Sequence, residues 1–215
     1  MTDPSSFILA NTECVFPPLV PEIALHLATE VVPLWRLTEE ELAKHCDPPY
    51  WAFAWAGGQA LARYVLDNPR VVAGKCVLDF GSGSGLVAIA AAMAGAKQVM
   101  AADIDRFAEA AIKLNAVNNR AVVSTTTSDL IGSDHNWTTI LVGDMCYERP
   151  LAERLLDWLV DRAAQGATVL LGDPGRSYFP RLGVEKLATY GVKTTRELED
   201  REIRETSVYA LKLSG

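Results

Sequence analysis

Apolar positions along this chain fall into two regimes. In the first, residues 1–20 show no clear period and carry Pro4, Pro17 and Pro18, so they read as an arm. Residues 21–29 fit a short helix. Thr38-Glu39-Glu40-Glu41 has the form of a capping box, with Thr38 as cap, and predicts a helix over 38–45. A proline- and aromatic-rich connection follows over 47–55. From Gly57 or Gly58 to about Asp67, residues Ala60, Leu61, Tyr64 and Val65 recur at helical spacing until Asn68-Pro69 stops them.

In the second regime short apolar runs alternate with helical periods. Strands are expected over 75–80, 97–102, 121–127, 138–142 and 167–171, and helices over 85–94, 105–118, 150–164 and 179–190. Residues 192–198 and 203–213 then alternate as two strands around Glu199-Asp200. Alternating strands and helices imply parallel βαβ units and a doubly wound α/β sheet, to which the terminal hairpin adds antiparallel strands. The expected division is an N-terminal arm and helical lid over 1–56 and a single α/β domain over 57–215.

Composition narrows the class without moving these elements. A chain of 215 residues supports one domain with a sizeable core and a short extension. No apolar run reaches the roughly 18 residues of a membrane span, and the nearest, 86–96, reads as a buried helix. The first twenty residues lack the basic stretch of a signal or transit peptide, so a cytoplasmic location is expected. A net charge of −7 counts against nucleic acid and suits a basic partner, such as a lysine-bearing protein. Cys14, Cys46, Cys76 and Cys146 form no CxxC pair and the three histidines do not join them, so neither a metal site nor a disulfide framework is expected.

The stretch "VLDFGSGSGL" lies between an expected strand and an expected helix and carries Asp79, Gly81, Gly83 and Gly85. Glycines there let the backbone approach a ligand and adopt positive φ. Asp103 closes the next strand, where a carboxylate can accept both ribose hydroxyls of an adenosine. The acid-x-Gly-x-Gly-x-Gly form and the terminal hairpin together resemble the Rossmann-like, seven-stranded class I methyltransferases, with S-adenosylmethionine as cofactor. Asp79 would organise the loop and reach the methionine ammonium through water. A tight turn without ligand and a nicotinamide site are the alternatives. Asp129 and Leu130, after the third strand, are candidates for the adenine amine and face; a loop acid beside a core residue is the other reading. Trp137 is a further candidate wall, or packs at the base of the fourth strand.

The fourth strand ends "LVGDMCYERP", which sets Asp144 and Tyr147 as an acid-x-x-aromatic pair where ligands meet the carboxyl ends of strands. Asp144 could instead cap the helix before Pro150. Asp173 and Arg176, in "GDPGRSYF", are either substrate contacts or a turn into the next helix. Cys146 is read as filler.

Asp47-Pro48-Pro49-Tyr50 resembles the motif with which DNA-base amine methyltransferases hold their target. Enzymes that place it before the glycine loop need a recognition region between the two and no further fourth strand. Here one helix separates Tyr50 from Asp79, and Asp144 and Tyr147 follow downstream. The prolines instead stiffen a connection that delivers Tyr50, Trp51 and Trp55 towards the cofactor.

Together "DPPYWAFAWAGGQALARYVLDNP", "VLDFGSGSGLVAIAAAMAGA", "ADID" and "GDMCYE" resemble the lysine methyltransferases of the electron transfer flavoprotein β subunit, in methyltransferase family 16. The resemblance covers roughly residues 20–213. It implies S-adenosylmethionine as donor and a protein lysine as acceptor. The β subunit is the expected partner, and for a bacterial member a ribosomal stalk protein as well. By resemblance Trp55, Gly81, Gly83, Asp103 and Gly143 contact the cofactor, and Asp144 and Tyr147 face the lysine. A monomer is expected, without nucleic acid or membrane. The rival readings are a class I enzyme acting on a nucleic-acid base or small molecule, and a non-catalytic binding module.

Overall fold

The computed structural model describes residues 3–29, 48–194 and 202–213. The helix expected over 38–45, Cys46, Asp47, Glu199-Asp200 and the end of the strand expected over 192–198 lie outside them.

The N-terminal segment is ordered where an arm was expected. Asp3 accepts from Ser6 N (2.9 Å) and starts helix α1 (Pro4–Asn11), with Pro4 in the first turn, where a missing N–H costs nothing. This helix buries Phe7 and Ile8, too few positions to show a period. Strands β1 (Glu13–Val15) and β2 (Leu25–Leu27) pair antiparallel, so a strand replaces the helix expected over 21–29. In β2, Leu25 and Leu27 point inward around His26, an alternation too short to read from sequence. The segment is tied down by one asparagine within a distant helix and one that caps it: His26 N donates to Asn115 (2.7 Å), and Ala24 N to Asn119 (2.9 Å).

Helix α2 (Ala56–Asp67) starts at Trp55 and ends at Asn68-Pro69. The α/β core then follows the expected order: β3 (Cys76–Phe80), α3 (Leu86–Met93), β4 (Gln98–Ala102), α4 (Arg106–Asn118), β5 (Ser124–Thr126), β6 (Thr139–Gly143), α5 (Arg149–Ala164) and β7 (Thr168–Asp173). Strand β5 is shorter than the run expected over 121–127, and Val122, ahead of the strand, is exposed. Strands β8 (Val184–Lys193) and β9 (Ile203–Leu211) complete a seven-stranded sheet of order β5-β4-β3-β6-β7-β9-β8. The first five are parallel; β9 runs antiparallel to both β7 and β8.

No helix forms over 179–190. Glu185, Lys186 and Leu187 favour helix locally, but the chain leaves Gly183 at φ 72° and pairs with β9 from Val184↔Leu211 to Lys193↔Ile203, with a bulge at Lys186/Ala188. Ladder pairing with a distant strand outweighs local propensity.

Period-2 alternation splits the core between the two faces. Val77, Val99, Leu141, Leu170 and Val208 pack with α2 and α3; Leu78, Phe80, Ile140, Val142 and Leu171 pack with Leu155, Trp158 and Leu159 of α5. Each fully buried Leu or Val contributes roughly 1.5–3 kcal/mol. A third cluster joins Phe7, Ile8 and Phe53 to Trp51, which stacks on Phe107 at 6.2 Å. No helix among the described residues is long and apolar enough to cross a membrane.

The entry of α2 approaches the ends of β6 and β7 without room for side chains. A Cβ on Gly172 would collide with the Gly57 carbonyl oxygen, and one on Gly57 with the Gly172 carbonyl and, at 2.5 Å, with Asp144 Oδ2. Gly172→Ala is therefore expected to lower the melting temperature by roughly 4–8 °C, the cost of overpacking a rigid contact. Calorimetric melting tests this, and an unchanged transition would mean that the two backbones separate freely.

Candidate active site

Parallel strands β3, β4, β6 and β7 end on one edge of the sheet, where a cleft of about 570 Å³ opens. That lies within the several hundred Å³ usual for small-molecule sites, here at the carboxyl ends of the strands.

One wall is the glycine turn. Asp79, at the end of β3, is buried; its Oδ2 accepts from Ser82 Oγ (2.5 Å) and from Ala88 N (2.9 Å), binding the turn to the start of α3. Gly81 and Gly83, both at positive φ, line the cleft. Gly83 N donates to Asp103 Oδ2 (2.9 Å), and Asp103 Oδ1 accepts from Asp105 N (3.1 Å). Asp103 thus faces the cleft from the end of β4, fixed by backbone donors.

Asp79 and Gly85 are not part of the lining. Asp79 supports the turn from beneath, and Gly85 sits against Ile112, where a Cβ would come within 3.3 Å of backbone. Asp129 does line the cleft and is held by Arg154 (2.9 Å). Leu130 does not. Asp129 Oδ1 accepts from Ile131 N, and the turn sends Leu130 inward to the core beside Phe80 and Ile140. Exposed Ile104, which the sequence did not single out, lies on the cleft wall. Trp137 packs edge-on against Trp158, outside the cleft.

The opposite wall is built on β6, β7 and the entry to α2. Gly143 lies close enough to Gly58 that an added Cβ would stand 3.0 Å from its Cα. Asp144 then takes φ 57°, unusual for a side-chain-bearing residue and tolerated best by Asn and Asp. Its N–H donates to Gly172 O (3.0 Å), and its Oδ2 accepts from Gly58 N (3.1 Å). It is not the cap of α5, a position held by Glu148. Arg176 donates to Asp144 Oδ1 from Nε (2.9 Å) and Nη2 (2.6 Å), and its guanidinium lies 5.6 Å from the Trp55 ring centroid. Arg176 is itself presented by Asp173, whose Oδ1 accepts from Gly175 N and Arg176 N (2.6 and 2.7 Å).

Aromatic rings form the mouth. Tyr50 stands 5.6 Å from Tyr147 and 5.9 Å from Trp55, centroid to centroid, and the Trp55 indole N–H donates to Tyr50 O (2.9 Å). Cys146 is buried, and desolvation pushes its thiol up to about 12, so no thiolate nucleophile is available there. Sequence reasoning named Arg176 without its partner, because only the fold brings β6 and β7 side by side.

The arrangement suits a nucleoside-bearing donor: a glycine cradle free of side chains, a carboxylate at the next strand end, and aromatic walls. The sheet order and this cleft are those of a class I S-adenosylmethionine-dependent methyltransferase. The magnesium protoporphyrin IX methyltransferase from Synechocystis PCC 6803, solved with bound S-adenosylmethionine, shares the fold at TM-score 0.53 and 18% identity, covering 73% of this chain and 78% of that one. A family model described as ribosomal protein L11 methyltransferase (PrmA) matches residues 59–143. The electron transfer flavoprotein beta subunit lysine methyltransferase of Xenopus laevis is 42% identical, over 98% of this chain and 88% of its own length. The human protein of that name is 39% identical, over 96% and 81%. The chain belongs to this family of lysine methyltransferases.

Burial raises the Asp79 carboxyl to about 7, from the 3.8 ordinary for an aspartate. Between these values the folded protein holds a proton that the unfolded chain has released, so stability falls as pH rises through 7. Asp79→Asn removes the titration and keeps an acceptor for Ala88 N. Urea denaturation at pH 4.5 and 7.5 should show the wild type losing more stability than the variant, by a few kcal/mol at most. Equal losses would mean that Asp79 ionises without penalty.

Proposed function

We propose that this enzyme methylates lysine side chains of the electron transfer flavoprotein beta subunit, as a cytoplasmic monomer that acts on neither nucleic acid nor membrane. The observation that carries the reading is a buried carboxylate, Asp144, at the end of β6 beneath an aromatic mouth of Tyr50, Tyr147 and Trp55. Near-full-length similarity to named enzymes of this activity supports it. So does the net charge of −7, which suits a lysine-bearing surface and not phosphates. Ribosomal protein L11 is a second candidate acceptor, on the match of residues 59–143.

In this reading Trp55, Gly81, Gly83, Asp103, Asp129 and Gly143 contact the donor, while Asp79 and Gly85 shape the turn and Leu130 backs it from the core. The bound donor supplies a methyl group on a sulfonium, already activated toward displacement. What remains for the protein is alignment and exclusion of water. Asp144 accepts from the lysine nitrogen and orients it. Tyr147 and Tyr50 flank the alkyl stem and desolvate the amine, which lowers its pKa.

Incubation with labelled S-adenosylmethionine and purified β subunit or L11 should place nuclease-resistant label on lysines of the β subunit, mapped by mass spectrometry. Label on L11 alone, or on neither protein, would overturn the reading. Asp103→Ala should weaken donor binding roughly ten- to hundredfold, as expected for losing hydrogen bonds to a charged acceptor. An unchanged dissociation constant by calorimetry removes Asp103 from the donor site. Asp144→Asn should lose most turnover while donor affinity stays near wild type; a normal methylation rate would sink its assignment.

A further inference from the structure

Asp144 creates a difficulty for the reaction. An amine attacks a methyl group only when neutral, and near neutral pH only about one free lysine in a thousand is neutral. A lone carboxylate beside the amine worsens this, because it stabilises the ammonium. In the structure, however, Asp144 is not a lone charge. Both Nε and Nη2 of Arg176 bond to its Oδ1, at 2.9 and 2.6 Å, and the side chains of the pair are only 19% and 9% exposed. Oδ2 is turned the other way, toward Gly58 N (3.1 Å), and both residues line the cleft.

Resting on the lysine-methylation reading, we infer that Arg176 is a positioning residue that keeps Asp144 as one half of an ion pair, so that the carboxylate orients the substrate amine without holding it as ammonium. A guanidinium suits this role because it stays charged across the working pH range and its planar fork fixes one carboxylate oxygen. A lysine at the cleft then meets a nearly neutral pair with one directed acceptor. Its ammonium first gives a proton to solvent. The lone pair so freed forms the N–C bond as the C–S bond breaks with its electrons left on sulfur, and the positive charge passes to the methylated nitrogen. The pair is built into the fold: Asp173 fixes the Arg176 backbone, and the Trp55 ring supports the guanidinium.

Other groups that titrate or carry charge stand on the elements around the pair. Asp173 of β7 lies behind it, with its carboxyl raised to about 6 by burial and its Oδ2 without a hydrogen-bond partner. Cys146, Tyr147 and Glu148 follow β6, Tyr50 precedes α2, and Arg154 stands on α5. Across the cleft are Asp103, Asp105 and Asp129. All are retained in the variants below.

The test is single-turnover methylation of the purified β subunit from about pH 6.5 to 10, a window mostly above the Asp173 transition. Wild type is compared with Arg176→Gln and Arg176→Met, two neutral variants of different shape, and with Arg176→Lys. The neutral variants should move the acid limb up by about one pH unit, a roughly tenfold loss at neutral pH that alkaline pH recovers. Arg176→Lys should restore most of the wild-type profile, and donor affinity by calorimetry should not change. A uniform loss at every pH, an unmoved profile, or a lower KM at an unmoved profile overturns the inference; the last would make Arg176 a mere occupant of the amine's place. A wild-type enzyme that methylates no lysine overturns the proposed function as well, whereas an active wild type with unmoved variants overturns this inference alone.

Discussion

The contact on which the site depends is the approach of the α2 entry to the ends of β6 and β7. Gly57 and Gly172 meet backbone to backbone, and Gly143 meets Gly58 in the same manner. Because no side chain separates them, the N–H of Gly58 reaches Asp144 Oδ2, and the carbonyl of Gly172 receives the Asp144 N–H. These bonds offset the cost of about 1 kcal/mol or more for a left-handed aspartate. They also aim its carboxylate into the cleft instead of toward the helix that follows. The same approach brings Trp55, the residue that starts α2, over Arg176. A widening here would release the carboxylate, its arginine and one aromatic wall together.

The sheet edge gathers three buried carboxylates, Asp79, Asp144 and Asp173, each stabilised differently. Asp79 is satisfied by a hydroxyl and a helix N–H, and burial still dominates, which leaves its carboxyl near 7. Asp173 spends one oxygen on the turn before Arg176 and leaves the other buried without a hydrogen bond, an arrangement that costs stability and keeps its carboxyl near 6. Asp144 has the guanidinium. Of the three it alone lines the cleft, so the charge compensation sits where an incoming cation would feel it. Two carboxylates support the loops, and the paired one faces the cleft.

Features written in consecutive residues were legible in the sequence. The runs that became β3, β4, β6 and β7 are continuous and apolar, and Asp105 caps α4 by a bond to Phe107 N two residues on. Asp79, Gly81, Gly83 and Asp103 could be located because the glycine turn and the next strand end keep fixed offsets. Features decided by distant partners were not legible. Residues 184–193 carry helix-forming side chains and become a strand because β9 offers a ladder. Residues 25–27 are held through Asn115, which also donates to Ser84 O in the glycine turn, so the N-terminal strand and that turn share one buried side chain. Leu130 faces the core because the loop turns at Asp129, and the pairing of Arg176 with Asp144 exists only once β6 and β7 lie side by side.

The same distinction explains why the Pro-Pro-Tyr stretch does not serve as an amine clamp. Such a clamp needs an acid and the following carbonyl at the reacting centre. Here Tyr50 opens a 3-10 turn, and the Pro48 carbonyl is taken up within that turn by Tyr50 N (2.6 Å). Trp51 turns away to stack on Phe107, which fastens the connection to α4. What reaches the mouth is the Tyr50 ring, 5.6 Å from Tyr147 of the loop after β6. Two tyrosines far apart in sequence thus form one aromatic lip over Asp144. The prolines contribute stiffness, and a stiff connection holds that lip without the entropy cost of ordering a flexible one. The acidic group beneath comes from β6, so the order of strands in the sheet, and not the letters of the motif, sets which carboxylate lines the cleft.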